Sequence, residues 1–360
     1  MAGTKTLLMM CASLGLGNST RLMGVAQAIR RRFCVPPEKL RLVICAAGKA
    51  ARYWNANAAS VQAEVVALDE YVFSGRRSQS RVRWSGFIRP CNAAACLRNN
   101  LRLRALLSRV AVDLALIDSD YHFLPLHFAG VPIAALGQAR DVARRCEIYR
   151  RGDLVPPRSL FIEKLDFQVQ RLVSRFVLVP CFEPGAARDG KVTDIPLIVR
   201  EEFTASVPPA GTVAPLYIMT GGSGIGAAPL LEYARRYGLT VIWGASGPAE
   251  ALDNEGRPLI DRAGAVLVQG GLSSISECIA RRKKMIVFPI AGHGEQLANA
   301  ITVERLGLGL RVAQLSAPPF AFLERLRLLS AKTSEPVFPR VDGAQAAAGI
   351  LLKTLGLIQR

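Results

Sequence analysis

Between residues 265 and 309 lie the side chains best suited to hold a phosphorylated sugar. Gln269-Gly270-Gly271-Leu272-Ser273-Ser274 joins an apolar run, Ala265–Val268, to a helical pattern that reaches Arg282. A strand that ends in two glycines and two serines and then becomes a helix aims backbone N–H groups at an anion. The positive end of the helix dipole adds to that attraction. Glu277, farther along the helix, is a carboxylate of the kind that accepts hydrogen bonds from the vicinal hydroxyls of a ribose. A second apolar run, Met285–Phe288, leads through Pro289 to Gly292-His293-Gly294-Glu295-Gln296 and then Asn299-Ala300. Glu295 and Gln296 suit a sugar's hydroxyls, and Asn299 extends the set. Together these contacts predict a nucleotide-sugar pocket. A plain βαβ crossover explains Gly270 and Gly271, but does not require Glu277, Glu295, Gln296 and Asn299 together.

A second phosphate cradle is expected at Gly221-Gly222-Ser223-Gly224, between a strand, Pro215–Met219, and a helix ending at Tyr237. It lacks the Lys-Ser/Thr of a Walker loop, which argues against an ATPase. In the first half, Lys5–Ala12 reads as a buried strand followed by the loop Ser13–Asn18. Ser19 is expected to cap a helix, Thr20–Arg32, with Leu22, Val25, Ala26 and Ile29 at helical spacing. A dinucleotide reading of Gly15-x-Gly17 fails on the missing third glycine. No acidic residue ends the next strand, Leu40–Cys45, either. A later strand, Asp113–Asp118, runs into Ser119-Asp120-Tyr121-His122. Ligands of open α/β sheets sit at the carboxyl ends of strands, so Asp118, Asp120 and His122 should share a crevice with Gly15, Gly17 and Asn18. Sugar transfer to a hydroxyl requires a base; Asp120 is the first candidate and His122 the second. The competing reading makes His122 a helix-start residue bonded to backbone and Asp118 a cap.

The elements that position these residues alternate between strand and helix. Ala63–Leu68 and Val131–Leu136 read as strands, Leu97–Val110 and Phe123–Ala129 as helices. Gly137–Pro157 reads as a long loop carrying Arg140, Arg144, Arg145, Arg150 and Arg151, and is expected to recognise an acceptor. A helix, Leu160–Val173, and strands Arg175–Pro180 and Asp194–Val199 follow. Val207-Pro208-Pro209-Ala210-Gly211 is the best linker. Strands Leu239–Trp243 and Leu310–Val312 and a final helix, Gly343–Leu357, complete the pattern. The prediction is an α/β protein of two doubly wound, Rossmann-like halves: an acceptor domain 1–206, a donor domain 207–342, and a terminal segment 343–360.

The order Gly-Gly, Ser, Glu, Pro, Glu-Gln, Asn-Ala in residues 270–300 resembles the donor motif of GT-B glycosyltransferases, particularly the bacterial family 28 type. Gly221, Gly222 and Ser223 resemble that type's loop facing the donor diphosphate. Gly15, Gly17 and Arg21 match its acceptor-side Gly-x-Gly-His-x-x-Arg pattern, so the resemblance runs through nearly the whole chain. Two departures stand out: Asn18 and Gln269 occupy positions where many relatives have His. Asn18 hydrogen-bonds but takes no proton at neutral pH. The resemblance implies a central cleft between the halves, a terminal helix that crosses back to the first, and inverting, metal-independent transfer from a nucleotide diphosphate sugar. The donor implied is a UDP sugar, the acceptor a small molecule or lipid-linked, and no further cofactor is expected. A nucleotide-sugar 2-epimerase and a non-catalytic sugar-nucleotide or lipid-binding subunit are the alternatives within the same fold.

The chain has 360 residues and a formal net charge of +18. Such a charge attracts nucleic acid, anionic lipid or anionic small molecules, but no zinc spacing, aromatic RNA-binding motif or basic zipper accompanies it. Between Glu70 and Asp113 there are nine arginines, Arg76 to Arg109, and no acid, with Trp84, Phe87 and Ile88 interrupting the first cluster. Arg mixed with aromatics suits an anionic headgroup layer; a solvated basic face is the alternative. Leu97, Leu101 and Val110 are expected to anchor the helix there. The eight cysteines include no CxxC pair and read as reduced and buried in a cytoplasmic protein, peripheral on the inner membrane surface if the basic region docks. No run approaches the roughly 20 apolar residues of a membrane span.

Overall fold

The structure, a computed structural model, describes residues 3–11, 16–71, 90–150, 155, 157–185, 188–204, 216–219, 227–242, 256–332 and 337–359. In chain order the first sheet and its helices are β1 (Lys5–Cys11), α1 (Gly17–Gln27), β2 (Leu40–Ala47), α2 (Gly48–Asn57), β3 (Ala63–Leu68), α3 (Pro90–Leu107), β4 (Leu114–Asp118), α4 (Leu124–Phe128), β5 (Ile133–Leu136), α5 (Ala139–Arg150), α6 (Pro157–Val173), β6 (Phe176–Pro180), β7 (Arg188–Asp189) and β8 (Val192–Ile195). The second set is β9 (Leu216–Met219), α7 (Ala227–Tyr237), β10 (Val241–Ile242), α8 (Gly256–Arg262), β11 (Ala265–Val268), α9 (Leu272–Ala280), β12 (Lys284–Val287), α10 (Gly294–Arg305), β13 (Gly309–Arg311), α11 (Pro319–Lys332) and α12 (Gly343–Thr354).

The first sheet has the order β3-β2-β1-β4-β5-β6-β8-β7, parallel except at the β7–β8 edge; the second runs β10-β9-β11-β12-β13, all parallel. Leu7, Leu8, Met9 and Met10 are fully buried, as a central parallel strand covered on both faces requires. Strand order reverses between β1 and β4 in the first sheet and between β9 and β11 in the second. At such switch points the outgoing loops part and leave a crevice at the carboxyl ends. The loops entering α4 and α9 leave from these points, and α1 follows β1. α12 packs Ala347, Ala348, Leu351 and Leu352 into the core of the first half with Ile29 and Trp54.

Four local expectations are corrected. Residues 139–150 form a helix: Val142, Cys146 and Tyr149 recur at helical spacing on a buried face, and Asp141 pairs with Arg144 and Arg145 one turn on. Ser19 caps nothing; α1 begins at Gly17, and the buried Ser19 hydroxyl lies 3.3 Å from Cys11 Sγ. Leu97 and Leu101 are exposed, and Leu103 anchors α3 instead. Cys34, Cys91 and Cys96 are exposed, while the other five cysteines are buried; all eight are free thiols. The linker, the Gly221–Gly224 cradle, Gly15 and the Arg76–Arg89 cluster lie outside the described residues.

Candidate active site

The two switch points meet. Gly17, at the start of α1, and Ser273, in the first turn of α9, touch across the halves: Ser273 Oγ donates to Gly17 O at 3.0 Å. Arg21, one turn into α1, is buried and grips Asp118 at the end of β4. Its Nε and Nη2 lie 2.9 and 2.6 Å from the two carboxylate oxygens. Nη2 also donates to Asn18 Oδ1 at 2.7 Å. The bidentate pair satisfies both buried charges and fastens the α1 start to β4. Asp118 is therefore a structural anchor and not a helix cap.

Beyond Asp118 the chain turns through Ser119, whose φ of 54° is left-handed. That turn folds Asp120 back onto His122: Asp120 Oδ1 lies 2.7 Å from His122 Nδ1 and accepts the His122 backbone N–H at 2.9 Å. Both side chains are more than nine-tenths buried. His122 Nε2 faces the Tyr71 hydroxyl, with the two rings near parallel at 5.4 Å. The tautomer follows from Asn99. Its Oδ1 accepts from Asp69 N at 2.7 Å, so its amide N–H groups face Asp69 O and His122 Nε2. With an Asn99 N–H directed at Nε2 and the Asp120 carboxylate able only to accept at Nδ1, Nε2 holds the lone pair and Nδ1–H donates to Asp120. The two candidates are thus one hydrogen-bonded unit, with the Asp120 carboxylate on His122 Nδ1 and the lone pair on Nε2.

On the donor side the glycines divide. A side chain on Gly270 would meet the Gln296 carbonyl oxygen at 2.4 Å, whereas at Gly271, the residue before α9, it would point into open space. Gly270 is there for packing, and Gly271 leaves room in the crevice. Ser274 and Glu295 are half-buried. Gln296 Oε1 accepts the Ile290 N–H at 3.0 Å and shapes its own loop.

Three donor residues are placed differently from expectation. Glu277 is only 4% exposed, and its Oε1 accepts from Arg200 Nε and Nη2 at 3.2 and 2.9 Å. The physical reason is helical spacing: Glu277 follows Ser273 by four residues and shares the face of α9 turned toward the first half. Asn299 is fully buried, donating to Gly270 O at 2.9 Å and accepting from Arg145 Nη2 at 2.8 Å. It holds the glycine turn against α5. Gln269 is buried as well. Arg145, expected in a recognition loop, instead bolts α5 to α10 through Asn299 and Thr302.

Sequence reasoning passed over Tyr71 and Arg200, which lie 51 and 77 residues from their partners. It also passed over an acidic wall on α6. Tyr121 donates to Asp166 at 2.6 Å, and Gln170 donates to Asp166 at 3.1 Å. Gln170 and Asp120 line a cavity of about 20 Å³, room for about one water. Burial, helped by Glu295 and Asp166, pushes the neighbouring Glu163 carboxyl from 4.5 up to about 8. Native protein therefore binds a proton there that unfolded chain releases above pH 4.5, so stability falls as pH rises from about 4.5 to about 8. Glu163→Gln is expected to remove that decline, worth on the order of a few kcal/mol. Parallel melting curves for the two proteins at pH 5 and pH 8 would refute it.

Among the described residues no cluster of His, Cys, Asp and Glu is placed to hold a metal, and no helix is long and apolar enough to cross a membrane.

No protein-family model matches the chain. A stretch of 70 residues is 40% identical to an uncharacterized glycosyltransferase of Methanosarcina acetivorans, covering 19% of this chain and 18% of that relative. Among solved structures, MurG of Acinetobacter baumannii superposes with a TM-score of 0.58 at 14% identity, covering 97% of this chain and 99% of MurG. A UDP-glucosyltransferase from Polygonum tinctorium does so with 0.59 at 14% identity, covering 99% and 100%. The chain has the GT-B fold of these enzymes.

Proposed function

We propose that this protein is an inverting glycosyltransferase that moves a sugar from a nucleotide diphosphate donor to an acceptor hydroxyl. The observation that carries the proposal is the Asp120–His122 pair, its Nε2 lone pair on the ring edge away from Asp120, just past the end of β4, whose last residue, Asp118, is held by Arg21 of α1. Inversion follows from a single displacement. The base takes the acceptor proton, the acceptor oxygen attacks the anomeric carbon, and the diphosphate leaves with its electron pair. The leaving charge is assigned to the N-terminus of α9 with Gly271, Ser273 and Ser274, joined by Gly221–Gly224, and not to a metal. Glu295 and Gln296 are assigned to the sugar, and Gly17, Asn18 and Arg21 frame the acceptor side. The pentose is not assigned to Glu277, because Arg200 already takes that carboxylate.

A uridine donor is the first choice, and the acceptor is a small molecule or a lipid-linked one. Arg98, Arg102 and Arg104, with exposed Leu97 and Leu101 on the same helix, suit an anionic membrane surface bearing such an acceptor. Asp120–His122 favours an enzyme over a binding subunit of the same fold, since a subunit that only binds needs no oriented base.

The test is a thermal-shift panel of UDP, dTDP and GDP followed by nucleoside diphosphate release from the matching sugar. A nucleotide at a hundredfold excess over its Kd adds about 2.7 kcal/mol to the native state. No shift with any of them would sink the reading.

A further inference from the structure

We propose that Tyr71 is a catalytic residue that carries the acceptor's proton to His122. The inference rests on the transferase reading and adds a group that no sequence motif marked. His122 is 4% exposed, and its one basic atom, Nε2, is covered by the Tyr71 hydroxyl and flanked by Asn99 Nδ2 at 3.5 Å. An acceptor hydroxyl cannot reach Nε2 while Tyr71 holds that place. Tyr71 itself is only partly buried and follows β3 at the carboxyl edge of the first sheet, where the acceptor must lie.

The two rings lie nearly parallel, with centroids 5.4 Å apart and planes 12° from each other, and the phenol hydroxyl is on Nε2. Asn99, fully buried and tied to Asp69 through both ends of its amide, keeps a donor on the same nitrogen. Nε2 therefore accepts, and Tyr71 donates.

The step balances as follows. The acceptor O–H bond breaks, and its electron pair forms the bond to the anomeric carbon. The acceptor proton passes to Tyr71 Oη while the Tyr71 hydroxyl proton passes to His122 Nε2. The bond from the anomeric carbon to the diphosphate oxygen breaks, and its pair leaves with the diphosphate. The resulting imidazolium lies against the Asp120 carboxylate. Burial holds the Tyr71 hydroxyl well above the ordinary phenol range, so no free phenolate accumulates and both protons move together.

The experiment compares wild type with Tyr71→Phe, which keeps the ring on His122 and removes only the hydroxyl. Nucleoside diphosphate release in the presence of acceptor is expected to fall by about 100-fold or more. KM for the donor and the donor's thermal shift should be unchanged. A Tyr71→Phe rate within a few-fold of wild type would overturn the relay. A second readout needs no turnover: the His122 Nε2 resonance in an imidazole 15N spectrum should move in Tyr71→Phe, because its hydrogen-bond donor is gone. An unmoved resonance would equally overturn the contact. The two levels fail differently. Wild type that binds no nucleotide sinks the transferase reading and the relay with it. Wild type that turns over alongside an equally fast Tyr71→Phe sinks the relay alone.

Discussion

Replacing His122 by glutamine is expected to slow sugar transfer by about 10²–10⁴-fold while the donor still raises the melting temperature. Glutamine can hydrogen-bond at either end but has no nitrogen that gains a proton near neutral pH. The loss therefore falls on the step in which the acceptor is deprotonated. Asp120→Asn tests the orienting partner. It removes the negative charge that faces Nδ1 at 2.7 Å and leaves the imidazolium of the transition state uncompensated, so it too should lower turnover with donor binding intact. Stopped or coupled assays of diphosphate release, with and without acceptor, read both variants. Should both keep the full rate, the base lies elsewhere and the dyad is a packing feature of the β4–α4 turn.

The second large effect concerns stability. Arg200 sits between two carboxylates, Glu277 at 2.9 Å and Glu202 at 3.1 Å, with its guanidinium 4.9 Å from the centre of the Phe203 ring. Arg200→Met would leave the Glu277 carboxylate buried without its counter-ion, a loss of about 3–5 kcal/mol. The direction with pH follows from the carboxyl itself. Burial already holds the Glu277 pKa above 4.5, against the pull of Arg200. Without Arg200 it rises further, so the native state binds a proton over a wider range. The variant should therefore lose more stability at pH 8 than at pH 5. Denaturant midpoints at the two pH values measure this. The double replacement Arg200→Met with Glu277→Leu should recover most of the loss, since no lone charge then stays buried. A single variant within 1 kcal/mol of wild type would show that the pair contributes nothing. Glu277→Gln adds a functional readout: donor binding should survive. Donor binding abolished in a folded Glu277→Gln protein would return the carboxylate to the ribose.

The residues behind these predictions were legible in the sequence to different degrees. Asp120 and His122 could be found because they follow an apolar run that had to be a strand, and strand ends in α/β sheets face the crevice. Their division of labour could not, because it depends on the left-handed Ser119 turn and on Asn99, 23 residues away. The arginines of residues 139–150 looked like a loop because charge dominates the stretch. The helix emerges once Val142, Cys146 and Tyr149 are given a surface to bury against.

Local patterning by itself determined the alternation of buried strands and helices, the glycine turn before α9, and hence the two largely parallel sheets. Those features follow from side-chain period and backbone freedom within a few residues. Only the tertiary structure decided that Glu277 and Asn299 turn inward, that Arg21 serves Asp118, and that Tyr71 meets His122. Each of these depends on which distant group arrives to satisfy a buried charge or lone pair. Such pairing is settled when distant strands, helices and loops pack together, not by the residues on either side in the chain.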